Sequence, residues 1–171
     1  VILYGRDVYA AARVAQIMLY AGVKAVRSLD GGWKAWSEAN LPVERGMPAD
    51  VKPAPDFGAP LPGQPQLMID MAQARGMLHR QDASLVSIRS WPEFTGETSG
   101  YSYIKPKGEI AGARWGHAGS DATHMEDFHN PDGTMRSADD IAAMWKSWNI
   151  LPEQHVAFYC GTGWRASEVF M

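Results

Sequence analysis

Short apolar runs alternate with amphipathic stretches along most of this chain of 171 residues. The runs at 1–4, 83–88 and 155–159 have the length and composition of buried strands, and "KAVRSL" and "QLMI" are β-like as well. After several of these runs, apolar residues recur at helical spacing or a residue that can cap a helix is present. Strands that alternate with helices predict an α/β fold built on a parallel sheet.

The first helix is predicted directly after the first strand. Val14, Ile17, Met18 and Ala21 recur at helical spacing, which predicts that this face is buried and that Gly22 ends the helix. "DGGWKAW" is interpreted as a turn into a short helix, without chemistry of its own.

Capping signals predict further helices in the second part of the chain. Asp70 can cap a short helix that runs to about His79, and Ser137 with Asp140 resembles a capping box. After the cysteine turn described below, a last helix is predicted from Ala166. The helix that begins at Ser137 places four apolar residues on one core-facing side: Ile141, Met144, Trp145 and Trp148.

A Pro/Gly-rich stretch separates two parts that share a pattern. "VILYGRDVYAAARVAQIM" and "VAFYCGTGWRASEVFM" both run from an apolar strand through a small turn into an Ala-led helix, and Gly5 falls where Cys160 stands. Residues 1–46 are therefore interpreted as the C-terminal half of an upstream module without the thiol, and 47–65 as a linker. Residues 66–171 are interpreted as an active module cut off after its reactive loop, so the remaining part of a longer parent chain is expected.

Composition and charge exclude several classes of function. The net charge of −3 and the scattered basic residues do not favour nucleic-acid binding, and no apolar run reaches the roughly 18 residues that a membrane span needs. A single cysteine forbids an internal disulfide. Four of the five histidines have no metal-ligand spacing with one another or with the cysteine and are interpreted as surface or structural residues, so no metal is expected. They are His117, His124, His129 and His155.

The candidate chemistry lies in "YCGTGWRAS". Cys160 follows an apolar strand and precedes a helix, on a turn with Gly161 and Gly163. Backbone N–H groups that line such a turn, together with the helix N-terminus, favour a thiolate and make the sulfur a nucleophile. The alternative is an inert, buried cysteine.

Each of several other residues has two possible roles in or near the site of Cys160. Thr162 contacts the leaving group or caps the helix, and Trp164 is a pocket wall or a packing residue. Arg165 touches substrate or forms an outward ion pair. Lys105 and Lys107 attract an anionic donor or are simply solvated.

"YCGTGWRAS", "DGGWKAW" and "LVSIRSWPEF…GEIAGA" together resemble the rhodanese (sulfurtransferase) family. The resemblance implies a three-layer α/β/α fold with a central, mostly parallel sheet, tandem modules, and a periplasmic location like that of multi-domain bacterial thiosulfate sulfurtransferases. It also implies that Cys160 carries a persulfide between a small anionic sulfur donor (thiosulfate or 3-mercaptopyruvate) and a thiophilic acceptor (cyanide, a thiol or a sulfur-carrier protein). By the same resemblance, no metal and no organic cofactor is expected. Ser87 and Glu109 depart from the Asp and His of the family motifs. The implied substrate-binding residues are Gly161, Thr162, Gly163, Trp164, Arg165 and Arg89.

Two other functions remain open at this stage. One is a non-catalytic interaction or sulfur-carrier module; if the chain were only a docking module, Cys160 could be replaced by Ser without loss of function. The other is a rhodanese-fold phosphatase, which is disfavoured because such enzymes resemble C-x5-R, whereas Arg165 follows Cys160 as C-x4-R.

Overall fold

Two small parallel sheets, each flanked by helices, make up the computed structural model, which describes residues 1–47, 50 and 52–171. Its strands are β1 (Ile2–Leu3), β2 (Arg27–Ser28), β3 (Ala83–Ser87), β4 (Arg114–Trp115) and β5 (His155–Tyr159). Its α-helices are α1 (Val8–Ala21), α2 (Gly32–Glu38), α3 (Met71–Met77), α4 (Trp91–Thr95), α5 (Ala138–Lys146) and α6 (Trp164–Phe170). The α/β class with parallel sheets, predicted from the alternating pattern, is confirmed.

The larger sheet has the order β4-β3-β5, with β3 in the centre. Strand β3 is buried along its whole length and pairs with β5 from Ala83↔His155 to Ser87↔Tyr159. The buried core beside it consists of Val86, Ile88, Ala118, Met125, Phe128 and Ile150. This packing fixes the carboxyl ends of β3 and β5 side by side, where the functional groups of an open α/β sheet are expected.

Helix α5 carries the aromatic side of this core. Ser137 caps it by accepting a hydrogen bond from the backbone N–H of Asp140, at 3.2 Å. The predicted face of α5 and the residues after it is confirmed, because all four of its members pack against the core: Ile141, Met144, Trp145 and Trp148. Asp70 caps α3 in a complete capping box, as predicted.

The smaller sheet pairs β1 with β2 and contacts the second part of the chain through α1. Helix α1 packs on α6, and the Tyr9 hydroxyl donates a hydrogen bond to the Thr123 carbonyl at 2.6 Å. Asp30, in the turn before α2, accepts a hydrogen bond from the backbone N–H of Met135 at 2.7 Å. The two parts of the chain are therefore joined by helix packing and by hydrogen bonds.

The predicted buried face of α1 is wrong. Val14 and Ile17 are 48% and 45% exposed, whereas Ala12, Ala15 and Gln16 are buried. Small side chains allow the α1 and α6 backbones to approach closely, so close helix packing selects the alanine side rather than the larger apolar residues. The predicted end of the helix is confirmed, since Gly22 adopts the left-handed conformation with φ 98°.

"QLMI" does not form the predicted strand. Pro65–Leu67 is a 3₁₀ helix, and a proline at its start favours a helical turn over a sheet ladder. The proposed linker 47–65 includes Pro48, Ala49 and Val51, which lie outside the described residues. The division into 1–46, 47–65 and 66–171 stays a prediction. In the described part of the chain, no helix has the length and apolar character needed to cross a membrane.

Candidate active site

Cys160 lies between the end of β5 and the start of α6, at the carboxyl edge of the sheet. Its side chain is only partly buried, and the backbone N–H of Gly163 donates a hydrogen bond to its Sγ at 3.1 Å. Gly163 is the N-cap of α6 and adopts φ 87°, a left-handed conformation that favours glycine. Helix α6 therefore begins at Trp164, two residues before the predicted start at Ala166.

The sequence predicts several backbone N–H donors around the Cys160 sulfur, and the structure shows one. Among the described residues, Gly163 alone donates a backbone hydrogen bond to the sulfur. Gly161 does not adopt a positive φ, and it is needed for a different reason. A Cβ on Gly161 would lie 2.2 Å from Cε2 of Tyr101, so the Tyr101 ring packs directly on the loop backbone where no side chain fits.

Arg165 anchors the loop to the protein interior. Its Nη1 and Nη2 donate to the two carboxylate oxygens of Glu93 at 2.8 and 2.9 Å, and the two side chains are 2% and 0% exposed. Nη1 also donates to the Asp121 carbonyl, and Nη2 to the Tyr101 hydroxyl. The expectation of an outward ion pair is wrong. Because both terminal nitrogens serve protein acceptors in the interior, Arg165 anchors the loop, and its assignment as a substrate-binding residue stays a prediction.

Glu93 is suited to this anchoring role. Burial alone would raise its pKa, but the hydrogen bonds and the charge of Arg165 outweigh burial and lower the pKa below its usual value. Ser90 adds two further hydrogen bonds to the same carboxylate, from its backbone N–H and its hydroxyl. The carboxylate that fixes α6 is therefore held charged by α4 and α6 together.

Arg89 lies under the carboxyl ends of the strands. Its Nε donates to the hydroxyl of Ser87 at 2.9 Å, and its Cζ lies 5.4 Å from the centroid of the Tyr159 ring. Ser87 thus provides a hydrogen-bond acceptor where the family motif has an Asp. Burial raises the pKa of the nearby Glu109, and the charge of Arg89 offsets only part of that rise. Arg89 connects β3 to the residue that precedes Cys160.

A cavity of about 420 Å³ opens beside Cys160. Of the predicted site residues, the structure brings Cys160 and Gly163 into its wall. Gly161, Thr162 and Trp164 are exposed on the loop outside this lining, so the roles assigned to them stay predictions. Arg13, from helix α1, lines the same cavity.

The sequence reasoning missed Glu93, Tyr101 and Arg13. The spacing of Ser90 and Glu93 matches a capping box, a signal that could have pointed to Glu93. Tyr101 lies in a loop without periodicity, and Arg13 lies in the other part of the chain, so no local pattern connects either of them to Cys160. Within the described ranges, no group of three or more His, Cys, Asp or Glu residues is arranged to hold a metal ion.

Comparison with known proteins agrees with this geometry. The family model of the rhodanese-like domain matches residues 1–39. Thiosulfate sulfurtransferase YnjE of Escherichia coli K12 is 84% identical over the whole of this chain, and its crystal structure superposes with a TM-score of 0.94 over 99% of the chain. Residues 1–39 match the rhodanese-like domain, and the whole chain is similar to YnjE. The chain spans 39% of the length of YnjE, and it covers 41% of the chain in that crystal structure.

Other similar proteins share less sequence identity with this chain. The wild-type structure of EanB shares 42% identity and a TM-score of 0.91, and this chain matches it over 98% of its own length and 42% of EanB. A second solved structure, of an EanB variant with a cysteine persulfide and ergothioneine, has a TM-score of 0.92. The sulfur carrier protein TtuD of Thermus thermophilus is 26% identical over 98% of this chain and 59% of its own length.

Proposed function

We propose that this chain carries the reactive cysteine of a sulfurtransferase, which moves sulfane sulfur from thiosulfate or 3-mercaptopyruvate to a thiophilic acceptor. The observation that carries the proposal is the position of the Cys160 thiol. It is accessible, it accepts a hydrogen bond from the amide of Gly163, and it lies directly before α6 at the edge of a cavity. Amide donors and a helix N-terminus favour a thiolate, which is the nucleophilic form.

With thiosulfate as the donor, the reaction is a double displacement. The Cys160 thiolate attacks the outer sulfur, a new S–S bond forms, and the S–S bond of thiosulfate breaks so that sulfite leaves with the bonding electron pair. The persulfide anion on Cys160 then gives its terminal sulfur to the acceptor. With cyanide, this second step yields thiocyanate and regenerates the thiolate, so charge and sulfur balance without a cofactor.

Two features of the loop would hold the persulfide in place. The amide of Gly163 is positioned to donate to a negatively charged sulfur, and the anchor formed by Arg165 and Glu93 keeps the start of α6 in one position. Arg165 offers no guanidinium for clamping phosphate oxygens, because Glu93 occupies both of its terminal nitrogens. This arrangement disfavours the phosphatase alternative.

The decisive experiment uses the full-length parent protein and its Cys160→Ser variant. After treatment with thiosulfate or 3-mercaptopyruvate, the peptide that contains Cys160 should gain the mass of one sulfur atom, and added cyanide should release thiocyanate. The variant should do neither. A wild-type protein that gains no sulfur from either donor would contradict the proposal.

The main alternative, a sulfur-carrier or interaction module, shares the first step only. A carrier would form the persulfide but would show no repeated turnover with cyanide. The similarity to the sulfur carrier protein TtuD supports this alternative, so the experiment has to distinguish it from catalysis. Counting thiocyanate released per molecule of protein distinguishes a single transfer from catalysis.

We also propose that the parent is periplasmic and is built from tandem modules, as the resemblance implies. The repeated plan of strand, small turn and helix at β1–α1 and β5–α6 supports the tandem arrangement, with Gly5 in the place of the cysteine. Cell fractionation of the parent tests the location. Limited proteolysis tests whether cleavage occurs first within 47–65.

A further inference from the structure

Helix α1 brings a cation to the cavity beside Cys160. Of the described residues that line this cavity, Arg13 is the one with a permanently charged side chain. It belongs to the part of the chain in which Gly5 replaces the cysteine. The reactive thiol and the nearest cavity cation therefore come from opposite sides of the Pro/Gly-rich segment.

Arg13 lies directly against the reactive loop. Its Nη1 and Cζ are 3.4 and 3.5 Å from the point that a Cβ on Gly163 would occupy. The N–H of that same glycine donates to Sγ of Cys160 at 3.1 Å. The guanidinium and the reacting sulfur are thus neighbours of the same glycine, and Arg13 and Cys160 line the same cavity.

A buried glutamine holds this guanidinium in position. Nη1 of Arg13 donates to Oε1 of Gln16 at 3.1 Å, and Nε2 of Gln16 donates to the carbonyl of Leu67 at 3.4 Å. Gln16 is one turn along α1 and is buried against the rest of the structure. Because Gln16 is neutral, it orients the guanidinium without cancelling its charge, and the remaining donors of the fork are left for a ligand.

In the described part of the chain, the other cations near the loop do not line this cavity. Glu93 neutralises Arg165 in the interior, and Arg89 packs on Tyr159 while its Nε donates to Ser87. Lys107 donates its Nζ to the carbonyl of Glu97 at 2.9 Å. Arg13 is therefore the cation best placed to meet an anionic molecule that approaches Cys160.

We propose that Arg13 recognises the anionic group of the sulfur donor, namely the oxyanion end of thiosulfate or the carboxylate of a mercapto acid. This inference rests on the proposed function. A planar guanidinium binds two oxygens of one such group, which would align the outer sulfur with Cys160 and discriminate against uncharged thiol reagents. The upstream part of the chain then supplies part of the substrate site, in addition to covering it.

The test compares two alkylating reagents that differ in charge. Iodoacetate is an anion and iodoacetamide is neutral, and both alkylate the same thiolate. In the full-length protein, Arg13→Gln should lower the ratio of the iodoacetate to the iodoacetamide rate about tenfold, the effect of losing one charge-assisted contact. Arg13→Lys should restore part of the ratio. Arg45→Gln removes an arginine from an exposed position outside the cavity and should leave the ratio unchanged.

Sulfur transfer gives a second readout. Arg13→Gln should raise the KM for thiosulfate about tenfold and change the saturated rate much less, because the lost contact is one of binding. An unchanged alkylation ratio together with an unchanged KM overturns the inference, even when the persulfide forms. An equal fall in both alkylation rates also overturns it, since Arg13 would then act on the thiolate and not on the donor.

Failure of the proposed function has a different signature. If the wild-type protein forms no persulfide but Arg13→Gln still lowers the alkylation ratio, anion recognition stands and sulfur transfer does not. Far-UV circular dichroism and the unfolding midpoint of each variant establish that it is folded. If Arg13→Gln does not fold, Arg13→Lys supports the same comparison: an unaltered ratio and KM in this variant, whose point charge cannot bind bidentately, would contradict recognition by the fork.

Discussion

Removing Arg165 should cost far more stability than removing an exposed arginine. In Arg165→Met, the Glu93 carboxylate stays buried without its two hydrogen bonds of 2.8 and 2.9 Å, and both side chains are at most 2% exposed. Leaving a buried charge unpaired costs about 3–5 kcal/mol in the free energy of unfolding. Equilibrium urea denaturation measures this loss, provided that the m value stays the same.

A double variant separates the charge from the packing. Adding Glu93→Gln to Arg165→Met removes the buried charge but keeps an oxygen for the two hydrogen bonds from Ser90. The double variant should therefore be more stable than Arg165→Met alone. Arg80→Met is the control, because the pair of Arg80 and Asp82 is exposed and should contribute little.

The pH dependence supplies the refuting result. Glu93 has a lowered pKa in the folded protein, so its ion pair contributes stability above the usual pKa of 4.5, and that contribution is lost as the pH falls through the lower folded value. The difference between wild type and Arg165→Met should shrink over this acidic range. A loss below about 1 kcal/mol at neutral pH, or a double variant no more stable than the single one, would refute the assignment of Arg165 as a buried anchor.

Two further predictions concern the same helix and loop. The hydrogen bond that His129 donates to Glu168 raises the pKa of His129 above 6.5, although burial opposes this rise. The stability that this pair contributes is therefore present below pH 6.5 and is lost as the pH rises through the higher folded pKa. Unfolding midpoints of His129→Gln on both sides of pH 6.5 should lack this change, and a wild-type-like pH profile in the variant would contradict it. Gly161→Ala should slow alkylation of Cys160 tenfold or more, because its Cβ would displace the Tyr101 ring and shift the loop. Gly76→Ala serves as the control, because no atom lies within 4 Å of the position that its Cβ would occupy.

Local patterns predicted most of the elements. The runs at β3 and β5 were identifiable because strands of a parallel sheet are rich in apolar residues, and α5 was identifiable from its cap and its aromatic face. "QLMI" was mistaken for a strand because a short apolar run carries no periodicity that distinguishes a strand from a helical turn. The site cysteine was recognisable because its strand, glycine turn and helix are consecutive in the sequence.

Arginine roles could not be predicted in the same way. Arg165 is adjacent to the loop in sequence and was expected to face outward or to touch the donor, but Glu93 lies far away in the sequence and draws the guanidinium inward. Arg13, in contrast, is distant from the loop in sequence but lies beside it in the structure, because the packing of α1 on α6 brings it to Gly163. The ion-pair partner of a long, charged side chain depends on which residues the fold brings near it, and the position of that side chain in the sequence does not specify this partner.

The amino-acid sequence alone determined the α/β class, the position of a reactive thiol between β5 and α6, and the need for glycine at Gly163, where the backbone is left-handed. These properties depend on hydrophobic periodicity and on backbone conformation, which act between neighbouring residues. The tertiary structure decided which face of α1 is buried, which arginine is neutralised and which one reaches the cavity. Those outcomes depend on contacts between residues distant in the chain, where close packing and the cost of burying an unpaired charge select the partners.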